Sequence, residues 1–109
     1  MTEFAEIIIM NYNIIISPDA EKDTKEAYTF YENKQPGLGE RFLDELALFY
    51  KKLREHPMYY SFVSDDKAIR SLSLKIFPYQ IIYEVAANEL YVFAIHHFRQ
   101  NPDQFIKRL

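Results

Sequence analysis

The sequence predicts an α+β domain, ordered β-α-α-β-β-β, in which a helical hairpin packs on an antiparallel sheet. Three observations carry this. Apolar residues recur at helical spacing from Ala20 to Leu53, they alternate with period 2 from Ser71 to His97, and the change of period follows Pro57. The 109 residues suffice for one small core, and 49% hydrophobic with 27% charged residues is the balance of a folded chain.

Tyr12 to Ile16 is a short β-branched run that reads as the first strand. Ser17-Pro18-Asp19 then supplies an N-cap, a first-turn proline and an acid at the positive helix end. Ala20, Thr24, Ala27, Tyr28 and Tyr31 form the inner stripe of the first helix, with Glu21, Asp23, Lys25 and Glu26 on its outer side. Pro36-Gly37-Leu38-Gly39 uses both glycines of the chain and marks the turn between helices. Phe42, Leu46, Phe49 and Leu53 are the stripe of the second helix, flanked by Leu43 and Tyr50. Arg54 and His56 suit its carboxyl end, and Pro57 stops it.

Beyond Pro57 a three-stranded meander is expected. Leu72, Leu74 and Ile76 alternate with Ser71, Ser73, Lys75 and Phe77; Tyr79, Ile81, Tyr83 and Val85 alternate with Gln80, Ile82 and Glu84. Ala87-Asn88 is a turn, after which Tyr91, Phe93 and Ile95 oppose Leu90, Val92 and Ala94. Both faces of the last two strands are fairly apolar, so one packs on the helices and the other is partly covered or bound by something. Residues 1–10 read as an N-terminal extension or alternative start, since a second methionine, Met10, precedes the first clean strand pattern, and residues 11–109 as the domain.

Composition narrows the chemistry. Without cysteine there are no disulfides, thiolate metal sites or cysteine nucleophiles, and two glycines are too few for a phosphate loop or dinucleotide fingerprint. His96 and His97 are adjacent on a strand and point to opposite faces, so no metal site and no cofactor are expected. No apolar run approaches a membrane span, and Glu3 and Glu6 stand where a signal peptide needs basic residues, so a cytoplasmic protein away from membranes is expected. The net charge of −3 opposes nucleic-acid binding, but it is uneven. Residues 1–66 carry 7 basic and 13 acidic side chains, whereas residues 67–109 carry 6 basic ones (Lys67, Arg70, Lys75, Arg99, Lys107, Arg108) and 3 acidic ones. A basic sheet face that meets an anion is one reading of this; chance segregation is the other.

The string Arg70-x-x-x-Leu74-x-x-Phe77-Pro78-Tyr79-x-Ile81-Ile82-Tyr83, followed by Tyr91-Val92-Phe93-Ala94-Ile95-His96-His97-x-Arg99-x-x-Pro102, resembles the RelE/ParE toxins of type II toxin–antitoxin systems. The helix start at Ser17, the Pro36–Gly39 turn and the His56-Pro57 stop agree, so the resemblance spans roughly residues 11–105. Phe77-Pro78-Tyr79 with Tyr83 marks the ParE-like branch, the plasmid-stabilisation proteins. The resemblance implies a growth inhibitor silenced by a cognate antitoxin. RelE-type members cleave mRNA on the ribosome through the ribose 2′-OH; ParE-type members inhibit DNA gyrase.

That cleavage needs a base, an acid and cations around the phosphate. Aligned on Tyr79 and Tyr83, this chain has Ser71 and Ser73 at the family's lysine positions and Gln80 at its arginine position, and Ile106 stands near the expected tyrosine. A reduced set remains, with His97 as base or acid and Arg70, Lys75 and Arg99 as phosphate clamps. The plainer reading pairs Arg70 with a carboxylate and leaves His97 and Arg99 to fix the tail. Lys75, Tyr79, Tyr83 and Arg99 are the candidates for binding the target or antitoxin, while the alternating rings Phe77, Tyr79, Tyr83, Tyr91 and Phe93 read as core rather than base-stacking platforms. The expectation is therefore a gyrase-type inhibitor that does not itself bind DNA. An mRNA endoribonuclease with a substituted site and a non-toxic module of the same fold are the alternatives.

Overall fold

A computed structural model describes residues 12–64 and 68–109. Their elements are β1 (Asn13–Ile16), α1 (Pro18–Lys34), α2 (Leu38–Glu55), β2 (Phe62–Ser64), β3 (Ile69–Ser73), β4 (Tyr79–Ala86), β5 (Glu89–His97) and a helical turn α3 (Asp103–Ile106). Residues 1–10, read above as an extension or alternative start, and Lys67 lie outside the described residues.

The α+β order stands, with two corrections to the sheet. It has five strands in the order β1-β5-β4-β3-β2, and β1 runs parallel to β5, so the sheet is mixed. The helical hairpin between β1 and the meander allows this parallel return. The added strand, β2, comes from the segment after Pro57 and pairs with β3.

The helix starts follow from local chemistry. The Ser17 hydroxyl accepts the Ala20 N–H at 3.0 Å and caps α1. α2 is capped from its neighbour, because the Glu32 carboxylate accepts the N–H groups of Gly37 (3.0 Å) and Gly39 (3.0 Å). Gly37 sits at φ 91°, a left-handed conformation that disfavours any Cβ. At Gly39 a Cβ would lie 2.8 Å from the Tyr28 carbonyl oxygen, so this glycine sets how closely the helices approach.

The main core places Ala27 of α1 and Phe42, Leu46, Phe49 and Leu53 of α2 against Leu72, Ile81, Tyr83, Leu90, Val92 and Ile95. A second cluster lies on the opposite sheet face, where Phe105 of α3 covers Ile69, Ile82 and Ala94. The C-terminal tail is thus the partial cover expected of that face.

Two strand readings are corrected. Val92 and Ile95 share the helix-facing side although three residues apart, because the β4–β5 register shifts between Ile82 and Tyr83, placing Phe93 as an extra residue in β5. Such a bulge inverts the alternation beyond it, so Ile95 sides with Leu90 and Val92, not opposite them. β3 also ends at Ser73, not Phe77. The N–H groups of Lys75, Ile76 and Phe77 turn to the Glu45 carboxylate at 2.8, 2.7 and 3.0 Å, so they form no ladder.

His96 lies beneath the tail, buried, with its ring 4.8 Å from that of Phe105. Burial pushes its pKa below the ordinary imidazole value. The unfolded chain, titrating near pH 6.5, accepts a proton that the folded chain resists. Stability from this site is therefore complete above about pH 6.5 and declines as the pH falls below it. Urea midpoints at pH 7.5 and 5.5 are expected to differ less in His96→Asn than in the wild-type chain. An equal pH response in both would remove His96 as the cause.

Candidate functional site

The candidate residues divide between two regions of the sheet. Tyr79 pairs with His97 in the β4–β5 register, whereas Tyr83 pairs with Arg70 on the other side of β4. Four residues along β4 and two strand spacings place Arg70 about 13 Å along and about 10 Å across from His97. The two side chains do not meet around one phosphate.

Arg70 finds carbonyls instead of the carboxylate proposed for its partner. Its guanidinium donates to Met58 O (3.1 Å) and Tyr60 O (2.6 Å) and lies 3.9 Å from the Phe62 ring centre. It ties down the segment between α2 and β2. Tyr83 serves the same segment: fully buried, it donates its hydroxyl to Pro57 O at 2.6 Å. Burial raises its pKa, and that of Tyr79, far above physiological pH, so neither phenol ionises. Tyr79 is buried beside Tyr31, Phe42 and His97.

His97 ends β5 at the rim of a groove of about 320 Å³ between α1 and β5, also lined by Asp23, Glu26, Phe30, Tyr79 and Gln100. Its Nδ1 accepts the Arg99 N–H at 2.9 Å, and its own N–H donates to the Gln100 side chain at 3.1 Å. The imidazole is therefore oriented by the turn that follows it, leaving Nε2 as the second ring nitrogen. No Lys or Arg lines this groove among the described residues. Arg99 is exposed on that turn, and Lys75 is exposed on the β3–β4 loop.

Above His97 the free edge of β5 is closed by side chains. β1 pairs only as far as Val92, so Phe93 and Ile95 have no strand on that side. The Phe93 carbonyl accepts from the Ser17 hydroxyl (3.3 Å) and Arg108 (3.1 Å), and the Ile95 N–H donates to Asp23 (3.0 Å). Arg108 also grips Asp23 with both terminal nitrogens, at 2.7 and 3.1 Å. This carboxylate holds the arginine firmly protonated.

Asp23 and Glu45 organise this end of the molecule, and neither stands among the site residues read from sequence. Asp23, assigned to the outer side of α1, faces the sheet. The legible signal was its position three residues after Ala20 and four before Ala27; Glu45 stands likewise between Phe42 and Phe49. An acid on an apolar stripe needs buried partners.

Of the basic residues counted in the second half, Arg70 and Arg108 bond internally, and Lys75 lines one groove with Arg41 and Lys52 of α2.

Residues 14–102 match the family described as ParE toxin of type II toxin-antitoxin system, parDE. The chain belongs to the ParE toxin family. Among solved structures, a chain of the chromosomal ParDE TA system from P. aeruginosa superposes with a TM-score of 0.70 at 17% identity, covering 81% of this chain and 97% of that one. At that identity the likeness shows the fold alone. No curated protein matches the chain. Among the described residues of this ParE-family chain, no helix is long and apolar enough to cross a membrane, and no cluster of three His, Cys, Asp or Glu could hold a metal.

Proposed function

We propose that this ParE-family chain arrests growth by binding a bacterial target, DNA gyrase, without chemistry of its own, and that a cognate antitoxin silences it in the cytoplasm. Membership of the ParE family over residues 14–102 carries the reading. The site geometry supports it against the ribonuclease. A phosphodiester at His97 would face Glu26 and the Arg108-paired Asp23, with no lining cation to stabilise the developing charge. Arg70 is engaged with backbone carbonyls elsewhere.

Arg99, exposed on the turn after β5, is the residue of choice for contacting the target. Expression of the wild-type chain in a bacterial cell is expected to relax plasmid supercoiling and induce a DNA-damage response while bulk mRNA stays intact. Arg99→Ala, with its melting temperature unchanged, is expected to weaken inhibition about tenfold, as for loss of one charge-assisted hydrogen bond of about 1.5 kcal/mol. Rapid mRNA cleavage with normal supercoiling would replace this reading with the ribonuclease. No effect on growth would leave a non-toxic module.

A further inference from the structure

The β3–β4 loop presents a side chain that the core does not use. Ile76 is 68% exposed, yet Glu45 holds its N–H and those of both neighbours. The buried carboxylate thus fixes the loop so that an isoleucine stands in solvent. Beside it Leu48 of α2 is 51% exposed, and both line an open groove of about 450 Å³.

The rim of this groove is cationic. Arg41, Lys52 and Lys75 line it, against Asp44 and the Glu45 carboxylate that is already engaged by the loop. Among the described residues the ion pairs are those of Arg108 with Asp19 and Asp23, so all three rim cations lack a carboxylate partner there. A local positive excess on a chain of net −3 is a feature that tertiary packing creates.

We infer that this surface docks an acidic, amphipathic segment of the antitoxin, its apolar side chains on Ile76 and Leu48 and its carboxylates on Arg41, Lys52 and Lys75. The inference rests on the proposal that the chain has an antitoxin. Charge complementarity selects an acidic partner. The aliphatic centre selects a protein, because single-stranded nucleic acids are held by aromatic stacking platforms. The Glu45-braced loop lowers the ordering cost of binding.

The test is titration of the folded chain with the antitoxin encoded beside it. Ile76→Asp is expected to weaken the complex at least tenfold, and Arg41→Glu with Lys52→Glu to weaken it similarly and flatten its salt dependence. Both side-chain sets are exposed, so melting temperatures should stay near wild type, and growth arrest without antitoxin should persist. Wild-type affinity in both variants would overturn the inference. Lost growth arrest with unchanged antitoxin affinity would also overturn it, assigning the surface to the target. If the wild-type chain binds no adjacent antitoxin at all, the reading beneath fails together with this surface.

Discussion

Replacing Glu45 by alanine is expected to lower stability by about 3 kcal/mol, or roughly 15 °C in melting temperature for a domain of this size. Glu45 is 6% exposed, and its two oxygens accept three successive backbone N–H groups. Truncation orphans all three, each a cost of about 1 kcal/mol or more, and opens a void beneath the loop. Glu45→Gln keeps the shape but turns an amide donor toward one of those N–H groups, so about 2 kcal/mol is expected. Thermal melts of the three proteins should rank wild type, Gln, Ala. Equal melts would mean that the loop holds its form unaided. A loop that loosens should also weaken antitoxin binding in Glu45→Gln at temperatures where the fold persists, because Ile76 then loses its fixed position.

Asp23→Ala is expected to cost about 3 kcal/mol, and more than Arg108→Ala. Removing the carboxylate orphans the Ile95 N–H and leaves the Arg108 guanidinium with the Phe93 carbonyl and the more distant Asp19. Removing the arginine leaves Asp23 with Ile95 and leaves the Phe93 carbonyl with the Ser17 hydroxyl. The double variant should therefore be little worse than Asp23→Ala alone, giving a coupling of about 1–2 kcal/mol in a double-mutant cycle. Amide exchange should localise the effect: the tail and the Phe93–His97 edge open in Asp23→Ala, while β3 and β4 remain protected. Additive losses would show that the clasp does not act as a unit.

Both acids explain where the sequence could be read and where it could not. Helical period, strand alternation and the Ser17, Gly37 and Pro57 boundaries depend on neighbours within one or two turns, so the element order was legible from them. Asp23 and Glu45 stand on the apolar stripes of their helices, and their partners lie 72 and 30 residues or more away along the chain. No local pattern names such partners. The Phe93 bulge shows the same limit. One extra residue reverses the facing of all that follows, and its carbonyl is satisfied by Ser17 and Arg108 from opposite ends of the chain.

The candidate site divides along the same line. The sequence by itself determined the α+β class, the helical hairpin and the three-stranded meander, because these rest on periodicity and turn chemistry close in sequence, and its strings carried the resemblance that the family match over residues 14–102 bears out. Tertiary structure alone decided which residues meet. It tied Tyr83 to the Pro57 carbonyl and Arg70 to backbone carbonyls, set Asp23 on the sheet edge, and gathered Arg41, Lys52 and Lys75 around Ile76. Charge and hydrogen bonding act through space, so a tally of cations by halves of the chain passed over the cluster built between α2 and the β3–β4 loop, which draws Arg41 and Lys52 from one half and Lys75 from the other.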